Sequence, residues 1–201
     1  MRLLLVNPNT SARTTGLMLG IARAAAPPGV TIDGATAASG VPLILDAAML
    51  AAASDAVQTL LAGMDLKPYG GIIVAAFGDP GLAALRTAVP IPVTGIAEAA
   101  MAEAACHGRF AIVTTTPMLV DAIAARAEAY GHGAAFAGSW LTAGDAGSLM
   151  ADPVRLEAAL EATIGRAMAE AAPDAIIIGG GPLAAAAAAL RLRLDVPIIE
   201  P

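Results

Sequence analysis

Short, almost wholly apolar runs alternate along this chain with longer segments of helical pattern. Residues 3–6, 30–32, 71–75 and 92–96 are the first four runs; residues 110–113, the neighbourhood of 140–142, 175–178 and 196–199 are the next four. Helices are predicted between them, over about 12–25, 46–64, a short stretch ending near Arg86, and 97–106. Further helices are opened by Thr114-Thr115-Thr116-Pro117, capped by Asp152-Pro153 and carried to about Ala171, and placed over 183–192. Proline belongs in a first helical turn, Asp and Ser cap it, and Pro27-Pro28-Gly29 and Gly131/Gly133 end helices. Apolar runs fit strands covered on both faces, and the strand–loop–helix order fits parallel strands joined by right-handed crossovers.

The two halves resemble each other. Ala84-Leu85-Arg86 precedes Val89-Pro90-Ile91-Pro92-Val93, and Ala189-Leu190-Arg191 precedes Val196-Pro197-Ile198, with Arg86–Pro92 and Arg191–Pro197 at the same spacing. Val113-Thr114 likewise echoes Val6-Asn7. We read a duplicated four-strand unit, residues 1–105 and 106–201, giving an α/β fold of two pseudo-symmetric halves. Each half is a mainly parallel sheet flanked by helices, and a ligand cleft is expected between them. The second half has no counterpart of the helix over 97–106, so a tail beyond Pro201, or chain returning to the first half, is expected to complete it.

Composition narrows the function. Hydrophobic residues make up 57% of the 201 and charged residues 14%, enough for a sizeable core. The net charge of −6 does not suit a phosphate backbone, so nucleic acid is excluded as a partner, and no apolar run reaches a membrane span. The single cysteine, Cys106, precludes a disulfide framework and is expected to be a small buried or interface residue; a cytoplasmic location follows by default. No His/Cys/Asp cluster has metal-ligand spacing, no nucleophile elbow is present, and Gly179-Gly180-Gly181 lacks both the Lys-Ser/Thr of a P-loop and dinucleotide-motif spacing. No metal and no cofactor are expected. His107 and His132 lie in Gly-flanked loops and are expected on the surface. The alanine-rich helices predict a homo-oligomer.

Ligands of open parallel sheets bind beyond the carboxyl ends of the strands. Four loops qualify: 7–11, 75–81, 114–117 and 179–183. Each runs from a buried strand into a helix, so it offers unpaired N–H groups and the positive end of a dipole. Asn7, Asn9, Thr10, Ser11, Thr114, Thr115 and Thr116 add side-chain donors, and Ala76, Phe77, Gly78, Gly180, Gly181 and Pro182 line the remaining loops. Capping alone accounts for any one such loop; four at one sheet edge predict a site for a small-molecule ligand with a carbonyl or carboxylate.

A resemblance sharpens this. Val6-Asn7-Pro8-Asn9-Thr10-Ser11 resembles the opening motif of hydantoin and allantoin racemases, in the aspartate/glutamate/hydantoin racemase superfamily. Ala75-Ala76-Phe77-Gly78-Asp79-Pro80-Gly81-Leu82 resembles their first catalytic loop, Pro92-Val93-Thr94-Gly95-Ile96-Ala97-Glu98 the segment after it, Phe110-Ala111-Ile112-Val113-Thr114-Thr115 the start of the second half, and residues 176–183 the second catalytic loop. The resemblance implies a cofactor-independent isomerase in which two thiols flank the substrate, one removing the α-proton and the other returning it from the opposite face. It places the first thiol at Ala76 and the second at Gly180, with one residue of ambiguity towards Gly181, so neither is present. Asp79, three residues past Ala76, and Glu98, at the start of a helix, are the candidate replacements; their bland readings are a cap for the helix after Asp79 and a dipole-matched carboxylate. Glu200 stands at the matching end of the second half with the same ambiguity. Besides a racemase-like enzyme, a non-catalytic binding protein and a lyase or hydrolase using Asp79 or Glu98 remain open.

Overall fold

A computed structural model describes residues 1–180 and 183–201. The chain divides into two compact units, Met1–Ile96 and Ala97–Pro201. The first begins with β1 (Arg2–Asn7), α1 (Ala12–Ala25), β2 (Thr31–Thr36), α2 (Ala47–Ala62), β3 (Gly71–Val74), α3 (Leu82–Ala88) and β4 (Val93–Gly95). After α4 (Ile96–Ala105) follow β5 (Phe110–Thr114), a 3-10 turn at Pro117–Leu119, α5 (Val120–Ala129), β6 (Phe136–Leu141), α6 (Ala146–Met150), α7 (Pro153–Ala171), β7 (Ala175–Ile178), α8 (Ala184–Arg191) and β8 (Ile198–Ile199). The sheet orders are β2-β1-β3-β4 and β6-β5-β7-β8, and every strand pair is parallel.

Each element follows from local chemistry. β5 and β7 are buried at every position, as strands between two helical layers must be. Ser11 caps α1 by accepting from Thr14 N at 3.2 Å, Asp46 caps α2 through Met49 N at 2.7 Å, and Asp152 caps α7 ahead of Pro153. In the second unit Val113, Ile176, Ile178, Leu160, Ile164, Leu190 and Ile198 form one core cluster; in the first, Leu5, Met18, Ile32 and Ala75 do. Each fully buried Leu or Ile contributes about 1.5–3 kcal/mol.

Three readings change. The segment opened by Thr114–Pro117 starts as a 3-10 turn over Pro117–Leu119 before α5 continues it. The short helix α6, with Gly147 inside it, has too weak a periodicity to be seen in sequence. Cys106 is exposed rather than buried, its Sγ donating to Ala102 O at 3.3 Å on the last turn of α4.

The duplication is visible bond by bond. Ala75 N donates to Val6 O and Gly179 N to Val113 O, both at 2.8 Å; Ala37 N donates to Asn7 O and Thr142 N to Thr114 O, both at 3.0 Å. Ile72 N donates to Pro92 O and Ile176 N to Pro197 O, both at 2.9 Å. The paired arginines play one part: Arg86 Nε donates to Val93 O at 2.9 Å and Arg191 Nε to Ile198 O at 3.0 Å, each tying a helix to the fourth strand of its sheet.

Candidate active site

These bonds place the candidate residues in two equivalent frames, one at the carboxyl edge of each sheet. Asn7 corresponds to Thr114, Ala75 to Gly179 and Ala76 to Gly180. The loop after the third strand turns alike in both: Asp79 N donates to Ala76 O at 3.0 Å and Leu183 N to Gly180 O at 2.9 Å. Ala76 and Gly180 are each half-buried, immediately after a buried residue. Neither side chain can hold a transferable proton. A Cβ on Gly180 would sit 3.0 Å from Leu183 Cδ1, so an apolar side chain leans over the second position.

Asn7 is completely buried. Its Nδ2 donates to Asn9 Oδ1 at 2.9 Å, Thr15 Oγ1 at 3.0 Å and Ser11 O at 3.2 Å, while its Oδ1 accepts from Asn9 N at 3.1 Å. Thr15 in turn meets Thr36 at 2.6 Å, joining α1 to the end of β2. Asn7 is therefore an internal tie holding the loop in shape. Asn9 is different. Its Oδ1 takes both Asn7 Nδ2 and Ser11 N, each at 2.9 Å, which fixes the amide's orientation. The opposite end, Nδ2, has no hydrogen-bond partner among the described residues, although Asn9 is only 6% exposed. Thr10 N is spent on Val41 O at 3.0 Å, stitching the loop after β1 to the loop after β2.

The second frame repeats the division of labour. Thr114 Oγ1 donates to Gly179 O at 3.0 Å, clamping the ends of β5 and β7, and lies 3.0 Å from Thr116 Oγ1. Thr115 is buried beside it and Thr116 half-buried. Thr142 was not singled out from the sequence. It follows the end of β6, is nine-tenths buried, and its Oγ1 has no partner among the described residues. Its signal in the sequence is a lone threonine where the first half has Ala37. Gly181 and Pro182 lie outside the described residues.

The carboxylates fall in contrasting places. Asp79 is fully buried with φ of 49°, a left-handed conformation that Asp tolerates better than most residues. Its backbone carbonyl accepts from Leu82 N, the first residue of α3, at 3.2 Å, while Gly81 has no side chain to cap that helix; Asp79 thus helps to open α3. The Asp79 carboxyl lies directly over Gly95, in the space a Cβ there would need. Phe77 and Gly78 are buried in the same loop. Glu98 is half-buried in the first turn of α4, three residues beyond the end of β4. Glu200 is ion-paired with Arg191 at 3.0 Å. His107 is exposed, whereas His132 is half-buried and edge-on to Phe110 at 6.4 Å. Among the described residues no cluster of three His, Cys, Asp or Glu side chains could hold a metal ion, and no described helix is long and apolar enough to cross a membrane.

Comparison with known proteins agrees with this architecture. The family model described as Asp/Glu/Hydantoin racemase matches residues 3–201. The hydantoin racemase of Rhizobium meliloti is 32% identical over 129 residues, which cover 64% of this chain and 54% of that protein, so the match spans about half the length of this relative. The allantoin racemase of Klebsiella pneumoniae superposes with a TM-score of 0.92 at 33% identity, over 99% of this chain and 82% of that one. The allantoin racemase of Pseudomonas fluorescens does so with a TM-score of 0.94 at 30% identity, over 100% and 85%. With the duplicated sheets, the paired loops and this extended match together, the chain belongs to the Asp/Glu/hydantoin racemase family.

Proposed function

We propose that the protein is a cofactor-independent, racemase-like isomerase acting on a small cyclic amide of the hydantoin type. The observation that carries this reading is the donor set kept at the strand ends, above all the Asn9 amide, held in one orientation by the bonds to its Oδ1. In it, Asn9 and the neighbouring loop N–H groups hold the ring carbonyl. They stabilise the enolate that forms when the adjacent carbon loses its proton. Ala76 and Gly180 cannot pass that proton between faces, so the family's thiol pair is not the carrier. We assign the carrier to Glu98, the half-buried acid that follows β4: its carboxylate takes the α-proton, and the enolate regains a proton from Glu98 or from water. Return to the opposite face inverts the centre. We further propose that the protein works as a homo-oligomer in the cytoplasm, its exposed alanine-rich helix faces supporting self-association.

The bare positions 76 and 180 favour one second reading, a binding protein that holds the same compound without turnover. Incubating the protein in deuterated water with enantiopure 5-methylhydantoin and following the α-proton by NMR separates the two. Loss faster than in buffer, abolished by Glu98→Gln, supports the isomerase. Saturable line broadening without loss supports the binder, and neither signal would sink both.

A further inference from the structure

The two halves solve one packing problem in opposite ways. Asp79 corresponds to Leu183 through the matched turns, and Gly95 corresponds to Glu200, each three residues after the proline whose carbonyl accepts from the third strand. In the first half the acid comes from the loop and the strand end is glycine; in the second the loop residue is leucine and the strand end carries the acid. A side chain at position 95 would start in the space filled by the Asp79 carboxyl. Arg191, which bonds the carbonyl of Ile198, also holds Glu200, and Arg86 bonds the corresponding carbonyl of Val93.

We propose that Asp79 is a positioning residue, the first half's counterpart of Glu200. Its carboxylate fastens the loop carrying Ala76 to the junction of β4 and α4, from which Glu98 departs three residues later. Full burial, a left-handed backbone and a partner position that admits only glycine are what such a tether requires, and they unsuit Asp79 for meeting a ligand itself. The inference rests on the proposed isomerase reading for its consequence in catalysis, while the tether is a property of the protein alone.

The test transplants the second half's solution into the first. Asp79→Gly keeps the left-handed backbone and removes the carboxyl; Gly95→Glu forces a second acid into the occupied space; the double variant restores one carboxylate from the strand side. Each single variant is expected to slow 5-methylhydantoin exchange at least about tenfold, and the double variant to recover to within about threefold of the parent, a non-additivity that only contacting sites produce. Backbone amide shifts of Ala76, Phe77 and Gly78 should move in both singles and return in the double. A double variant no better than the worse single, or Asp79→Gly without effect on rate and shifts, overturns the tether. If the parent protein neither exchanges nor binds the hydantoin, the isomerase reading has failed, and the amide shifts alone decide the tether.

Discussion

Asn7 shows what a single residue contributes here. It is completely buried and makes three donor contacts and one acceptor contact within its loop, so truncating it orphans several polar groups at once. Asn7→Ala is expected to lower unfolding free energy by about 2–4 kcal/mol, read from urea denaturation, because each unsatisfied buried group costs about 1–3 kcal/mol. Asn9→Ala removes the unpartnered amide and is expected to weaken hydantoin binding by about tenfold, measured by NMR titration. The sequence made both asparagines candidates but did not separate the tie from the free donor. That difference lies in the direction of an amide, set by Ser11 N and Thr15, which folding brings into place. The same holds for Asp79. Its three-residue spacing from Ala76 suggests a local cap, and the packing of its carboxyl over Gly95, at the end of β4, is not written in that spacing. Nor was the exposure of Cys106 legible, since an alanine-rich helix shows too little contrast between its faces.

At the scale of elements, most of the fold could be read beforehand. Residues 71–75 and 175–178 are apolar throughout, and a parallel strand buried on both faces is the simplest account of such runs. Elements whose stability is not written in periodicity were missed. Helix α6 is one; it depends on Asp145, whose carboxyl accepts from Ser148 N at 2.9 Å and Ser148 Oγ at 3.0 Å. The backbone N–H of Ser148, and then its hydroxyl, hold the Asp145 carboxyl below the usual carboxylate range. A lowered folded value means that the cap's stabilisation is present above the unfolded value, near pH 3.9, and is lost as pH falls through the folded value. Hydrogen exchange at Ser148 should therefore stay protected down to about pH 4 and open below it, before the core strands do. The arginine ties belong to this scale as well. Arg86→Ala and Arg191→Ala should each cost at least about 1–2 kcal/mol in urea denaturation, since each removes the bond between a helix and the fourth strand of its sheet. A cost near zero for either would argue that its bond to the fourth strand does not hold the helix there.

For the whole molecule, the two matching sheets and the family match over residues 3–201 give the scaffold, and neither Ala76 nor Gly180 carries a side chain that can pass a proton. Motif order is what points to these two positions in the sequence. The partition of each edge into ties and donors is not legible there, because it needs the bonds between strand ends. The central claim is proton transfer on a racemase scaffold without thiols, and one comparison reaches it directly. Iodoacetamide will alkylate the exposed Cys106, the chain's single thiol. The α-proton exchange of 5-methylhydantoin in deuterated water is then measured for treated and untreated protein. The account predicts exchange above the buffer rate, unchanged by complete alkylation. Exchange that disappears on alkylation, or never rises above buffer, would contradict it.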